Sequence, residues 1–140
     1  IALRLGTAFG TRMRPNSVFS IFIRRALAGA PITIQGSGQQ GRQFTHASDI
    51  ARGFEAALTR GAQGEAYNLV SDRMVTIREL AEMVVASAPT ELTYGEARPG
   101  EVPSAIVSSA RAKTELGWTP RMDFGVGLAE LIAEARLVRV

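Results

Sequence analysis

The sequence has 140 residues, 46% of them apolar and 21% charged, with a net charge of +3 and no cysteine. That length fits one domain or a large piece of one, and the composition is that of a soluble globular protein, far from a disordered one. Disulfides, thiol catalysis and cysteine-based metal sites are excluded, and no apolar run approaches the ~18 residues that cross a bilayer.

The chain opens on a strand-like run, Ile1 to Leu5, with no Met and no leader pattern, and so reads as a piece of a longer or processed chain with a cytoplasmic home. A loop rich in Gly, Thr and Arg follows from Gly6 to Pro15. A helix is predicted from about Asn16 to Ala28, where Val18, Phe19, Phe22, Ile23, Ala26 and Leu27 form one stripe. Gly29-Ala30-Pro31 stops it. Ile32-Thr33-Ile34 is a short strand leading into a glycine-rich turn, and Phe44-Thr45-His46 is another. Ser48 is expected to cap a second helix, with Ile50, Phe54, Ala57 and Leu58 on its inner face. A strand is expected at Tyr67–Val70. Thr76-Ile77-Arg78-Glu79 has the form of a capping box. The helix it opens turns Ile77, Leu80, Ala81, Val84 and Val85 inward and ends before Pro89. A short helix around Ala110–Leu116 ends at Gly117, and Asp123 is expected to cap a last one that buries Leu128, Leu131, Ile132 and Ala135. The class is α/β or α+β, with too few long apolar strands for a complete doubly wound sheet.

Gly36-Ser37-Gly38-Gln39-Gln40-Gly41 matches the dinucleotide-binding pattern G-x-G-x-x-G. That pattern works only where a strand precedes it and a helix starts on it, so that the helix N-terminus meets the pyrophosphate. Here the following residues, Arg42 to His46, are strand-like, and no acid stands at a strand end ~20 residues on to hold a ribose. The segment reads as a turn. The 15 arginines and one lysine stand against 13 acids and are scattered among them, without the basic and aromatic stripe of a nucleic-acid binder. Guanidinium groups do grip phosphate bidentately, so the arginine excess is either compositional bias or phosphate recognition.

Five landmarks, in order, carry a resemblance. Leu3-Arg4-Leu5-Gly6-Thr7-Ala8-Phe9-Gly10 is similar to a strand and loop of the form LRxxNxYG. Ile34-Gln35-Gly36-Ser37-Gly38 with Arg42-Gln43-Phe44-Thr45-His46-Ala47-Ser48-Asp49 is similar to IxGDG…RDFxHVxD. Ala66-Tyr67-Asn68-Leu69, Arg98-Pro99-Gly100-Glu101 and Glu115-Leu116-Gly117-Trp118-Thr119-Pro120 are similar to xYNxG, RPGD and xLGWxP. Together, over essentially the whole chain, they resemble the C-terminal half of the extended short-chain dehydrogenase/reductase family of NAD-dependent NDP-sugar epimerases and dehydratases.

The resemblance implies an α/β fold of short strands with about five helices. Residues 1–140 would form a single NDP-sugar-binding domain that starts within the last strands of an NAD-binding domain, the Rossmann cofactor half being absent. It implies that Arg42 and Arg98 pair with the diphosphate of a nucleotide sugar. Each would give charge-assisted bonds of ~1.5–3 kcal/mol net, although alone Arg42 reads as a solvated turn residue. It further implies that Glu101, in place of an aspartate, holds the ribose hydroxyls, that Thr33 and Gln35 line the base pocket, and that Thr7, in place of an asparagine, lies by the phosphates. Gln43 and Ser48 replace acids. His46, the one histidine, reads as structural, and Trp118 and Tyr67 as core residues, the indole N–H needing a partner.

The chemistry of that family needs a Tyr-x-x-x-Lys pair. Tyr67 and Tyr94 are followed at that spacing by Ser71 and Arg98, and Lys113 lies in a surface-like helix. The expectation is a substrate-anchoring part with no catalytic residue and no metal, inactive alone, whose parent enzyme uses NAD and forms a homodimer. A nucleotide-sugar reductase of the same family, and a non-catalytic nucleotide-sugar module, fit the same landmarks.

Overall fold

The computed structural model describes residues 1–97, 99–100 and 104–137. In chain order the elements are β1 (Ala2–Leu5), β2 (Thr7–Phe9), α1 (Val18–Leu27), β3 (Ile32–Gln35), β4 (Gly41–Arg42), β5 (Phe44–His46), α2 (Ala47–Arg60), β6 (Ala66–Leu69), β7 (Val75–Thr76), α3 (Ile77–Ser87), β8 (Leu92–Gly95), α4 (Ala110–Leu116) and α5 (Phe124–Leu137). The mixed α/β class and, among the described residues, the five helices are as expected. The strands pair two by two: β1 with β6, β2 with β5 and β3 with β8 run parallel, and β4 with β7 antiparallel. Each parallel pair needs a crossover, and helices supply it, α1 and α2 between β2 and β6 and α3 before β8.

Four differences from the sequence reading have physical reasons. The expected loop after Gly6 contains β2, whose three residues are held by pairing with β5. β7 and β8 were not expected, and they too owe their conformation to partners 33 or more residues away. The cap of α2 is His46, not Ser48: the imidazole Nδ1 accepts from the Ser48 N–H at 3.3 Å and lies 2.7 Å from the Ser48 hydroxyl. On α2 the buried face is Asp49, Ile50, Gly53 and Ala57, while Phe54 and Leu58 face outward at 48% and 86% exposure. The caps expected at Thr76, Gly117 and Asp123 are in place, and α1, for which no cap was expected, is capped by Ser17. Ser17 accepts from Ser20 at the start of α1, and Thr76 from the Glu79 N–H at 3.0 Å. Asp123 accepts from the Val126 N–H, and Gly117 closes α4 with φ of 65°. The Glu79 carboxylate turns to Arg73 and does not complete the reciprocal half of the capping box.

The core has two parts. The larger gathers α1, α3 and α5 around Phe9, Phe19, Phe44 and Phe124, whose ring centroids lie 4.8 to 6.5 Å apart. Such aromatic pairs are worth about 0.5–1.5 kcal/mol each beyond their buried area. The smaller joins α2, α4 and β6 through Ala57, Tyr67, Leu69, Ala112, Leu116 and Trp118. Asp49, 1% exposed, ties the 118–122 segment to α2. Its carboxylate accepts from the Arg121 and Met122 N–H groups at 3.0 Å and from Arg52, while its backbone carbonyl accepts the Trp118 indole N–H at 2.8 Å.

Candidate functional site

Three strand ends and one helix start converge on one side of the larger core. Thr7 opens β2, Gln35 closes β3, Arg42 closes β4, and α1 begins at Val18 directly after Asn16 and the Ser17 cap. Between them lies a cavity of about 290 Å³ walled by Thr7, Asn16, Val18, Gln35, Gln40 and Arg42, with Phe22, Phe44 and Ile77 among the apolar residues of its wall. Thr7 and Arg42 also line a second hollow of about 650 Å³, shared with Arg4, Asn68, Ala105 and Val107. They therefore stand on the ridge between the two.

The electrostatics favour an anion. Arg42 is half-buried, and its guanidinium donates to the Gly41 carbonyl at 2.7 Å, which fixes the side chain along the cavity wall. The N-terminus of α1 adds its partial positive charge, and no acid stands in the first turn to offset it. The hydroxyl of Thr7 and the amides of Asn16, Gln35 and Gln40 supply neutral donors and acceptors. The Gln40 amide donates to the Gln35 carbonyl at 3.2 Å, which joins the rims contributed by β3 and by the turn after it.

Of the residues singled out from sequence, Thr7, Gln35 and Arg42 come together in this cavity. Thr33 shares the outward face of β3 with Gln35, but its hydroxyl pairs with that of Thr93 at 3.0 Å and it does not line the cavity. Arg98 and Glu101 lie outside the described residues. Asn16, Gln40 and Phe22 were missed. The position of Asn16 at the mouth of a capped helix was the one available signal. The glycine-rich segment is a turn, as its sequence context required. Gly36 and Gly38 take φ of 65° and 73°, and the chain runs on into β4. His46 is structural too, its ring packed edge-on against Phe9 at 5.1 Å. Among the described residues no helix is long and apolar enough to cross a membrane, and no cluster of three His, Asp or Glu side chains is placed to hold a metal.

Residues 1–69 match the model of the family described as "NAD dependent epimerase/dehydratase family". A dTDP-glucose 4,6-dehydratase of Actinoplanes sp. is 30% identical over 99% of this chain and 44% of its own length. The chain is similar to the NAD-dependent epimerase/dehydratase family, by the model over residues 1–69 and by this relative over nearly its whole length. The structure of a UDP-glucose 4-epimerase with UDP-glucose from Thermotoga maritima superposes on 99% of this chain and 46% of its own, with a TM-score of 0.92 at 26% identity. The dTDP-glucose 4,6-dehydratase DesIV of Streptomyces venezuelae, solved with NAD bound, gives a TM-score of 0.91 at 25% identity over 98% of this chain and 44% of its own. The chain thus spans less than half the length of the epimerases and dehydratases it matches.

Proposed function

We propose that this chain is the nucleotide-sugar-binding part of an NAD-dependent sugar-nucleotide epimerase or dehydratase, and that the ridge formed by Thr7 and Arg42 receives the diphosphate. The observation that carries the reading is the convergence of Thr7, Gln35 and Arg42, from three separate strand ends, on one cavity beside a helix N-terminus. Arg42 supplies the bidentate charge-assisted contact. Gln35 and Gln40 offer amide groups to the edge of a base, with Thr33 beside them on β3. Arg98 is assigned the opposite side of the diphosphate and Glu101 the ribose hydroxyls. The match to proteins whose structures hold UDP-glucose or NAD supports the substrate class and the cofactor.

NAD would serve as hydride acceptor for the sugar in the whole enzyme. The residues of this chain do not fit that group: the glycine-rich segment turns into β4 with no helix N-terminus to meet a pyrophosphate. Nor does either tyrosine have a lysine four residues on. No chemical step is therefore assigned to these residues. Their part is to anchor the nucleotide, so that remote binding energy becomes orientation at the reacting carbon. Alone, the chain binds nucleotide diphosphates and turns nothing over.

Calorimetric titration with UDP, dTDP, GDP and CDP tests this, with Arg42→Ala and Arg98→Ala as variants. One diphosphate is expected to bind, and each substitution to weaken it by about tenfold or more, the loss of one charge-assisted contact. Absence of binding to all four, or turnover of a nucleotide sugar by the chain with added NAD, would refute the reading.

A further inference from the structure

The geometry points to Gln43 as the positioning residue of the diphosphate site, an inference that rests on the function proposed above. Gln43 is 8% exposed and uses every polar atom of its amide. Nε2 donates to the Ser71 carbonyl at 2.7 Å and to the Val107 carbonyl at 3.0 Å, and Oε1 accepts from the Val107 N–H at 2.7 Å. The side chain thus pairs with both backbone groups of Val107, as a neighbouring strand would. Two residues earlier, the Gly41 N–H donates to the Ser104 hydroxyl at 2.6 Å. The 104–107 segment is therefore fastened at two points, one on each side of Arg42.

That segment is a wall of the larger hollow. Ala105 and Val107 face it together with Thr7 and Arg42. The Gln43 amide consequently sets the width between the wall and the guanidinium. The bonding pattern requires two donated hydrogens and one acceptor, which among side chains of this length and shape only a primary amide provides. A carboxylate, the group expected here from the sequence resemblance, can accept from Val107 but can donate to neither carbonyl. In this chain the wall is held by an amide, and the geometry offered to the diphosphate follows from it.

The test is calorimetric affinity of the 140-residue chain for UDP and dTDP, with hydrogen exchange of the Val107 amide read in parallel. Gln43→Glu keeps the shape and removes both donors. It sets a carboxylate oxygen against the Ser71 and Val107 carbonyl oxygens. That repulsion is expected to push the 104–107 segment away and to expose the Val107 amide to exchange, although an acceptor remains. Diphosphate binding is expected to weaken by about tenfold or more, the scale on which misplaced binding groups act. Gln43→Asn, which keeps the amide on a shorter stem, is expected to lose less, and it carries the same test if Gln43→Glu fails to fold. Asp49→Asn serves as the control, a buried substitution outside the cavity that lowers stability and leaves affinity unchanged. An unprotected Val107 amide in the parent chain would overturn the inference. So would Gln43 variants that bind like the parent while Arg42→Ala does not, a result that leaves the proposed function standing. If the parent binds no diphosphate, or Arg42→Ala changes nothing, the proposed function fails and the inference falls with it.

Discussion

Asp49 shows how much a single buried carboxylate organises. Its two oxygens satisfy two backbone N–H groups of the 118–122 segment and one guanidinium, so replacing it leaves donors without partners. Arg52 is 34% exposed, which places the cost below that for breaking a fully buried pair. Asp49→Asn is expected to lower the unfolding free energy by about 2 kcal/mol in urea titration. Trp118→Phe, which gives up one neutral hydrogen bond and part of a ring, should lower it by about 1–2 kcal/mol. Glu115 gives a pH dependence with a definite sign. A hydrogen bond from Arg111, and then one from the Tyr67 hydroxyl, hold its carboxyl below the ordinary value of 4.5. A lowered folded value stabilises the native state above the unfolded value, and that contribution is lost as pH falls from 4.5 through the folded value. Glu115→Gln should therefore flatten the loss of stability below pH 4.5, read as urea midpoints across that range. At this scale the sequence was informative where chemistry forces a partner. The indole of Trp118 needed an acceptor and found the Asp49 carbonyl, whereas the pairing of Gln43 with Val107 joins residues 64 apart and leaves no local trace.

Helices with caps and a regular apolar stripe were legible, because both signals lie within one or two turns of chain. β2, β7 and β8 were not, since strands of two to four residues show no periodicity and are held by distant partners. α2 was located correctly and its inner face misjudged, and Gly53 is the reason. It faces β6, where an added methyl would collide with the Leu69 side chain, so the helix lies closer to the strand than a row of large apolar residues would allow. Burial of Gly53 turns Phe54 and Leu58 outward. Gly53→Ala should consequently destabilise the fold by about 2 kcal/mol, against the usual gain from removing glycine inside a helix. Thermal unfolding of the variant measures the sign directly: a raised melting temperature would mean that α2 does not pack this closely.

Across the whole molecule, many of the arginines serve the fold. Arg52, Arg73, Arg78 and Arg111 pair with acids, and Arg60 and Arg136 donate to backbone carbonyls of Leu116 and Ser87. The arginine excess is therefore no count of phosphate contacts, and what marks Arg42 is its place on the ridge between two hollows. The candidate site was half legible for a related reason: the sequence resemblance named Thr7, Gln35 and Arg42, but the cavity that unites them exists only through the parallel pairings. The same pairings leave apolar side chains outside. Phe54 and Leu58 stand one turn apart on α2, and Leu5 and Ile106 are 47% and 85% exposed. Phe54 and Leu58 are exposed and lie outside the buried residues of both parts of the core, so polar replacements there remove exposed apolar area. The double variant Phe54→Gln, Leu58→Gln should keep the parent melting temperature within about 2 °C, as substitutions of ~0.5 kcal/mol or less do. Its light scattering at high protein concentration should fall below that of the parent. A lower melting temperature with unchanged scattering would show instead that these two side chains are part of the packing.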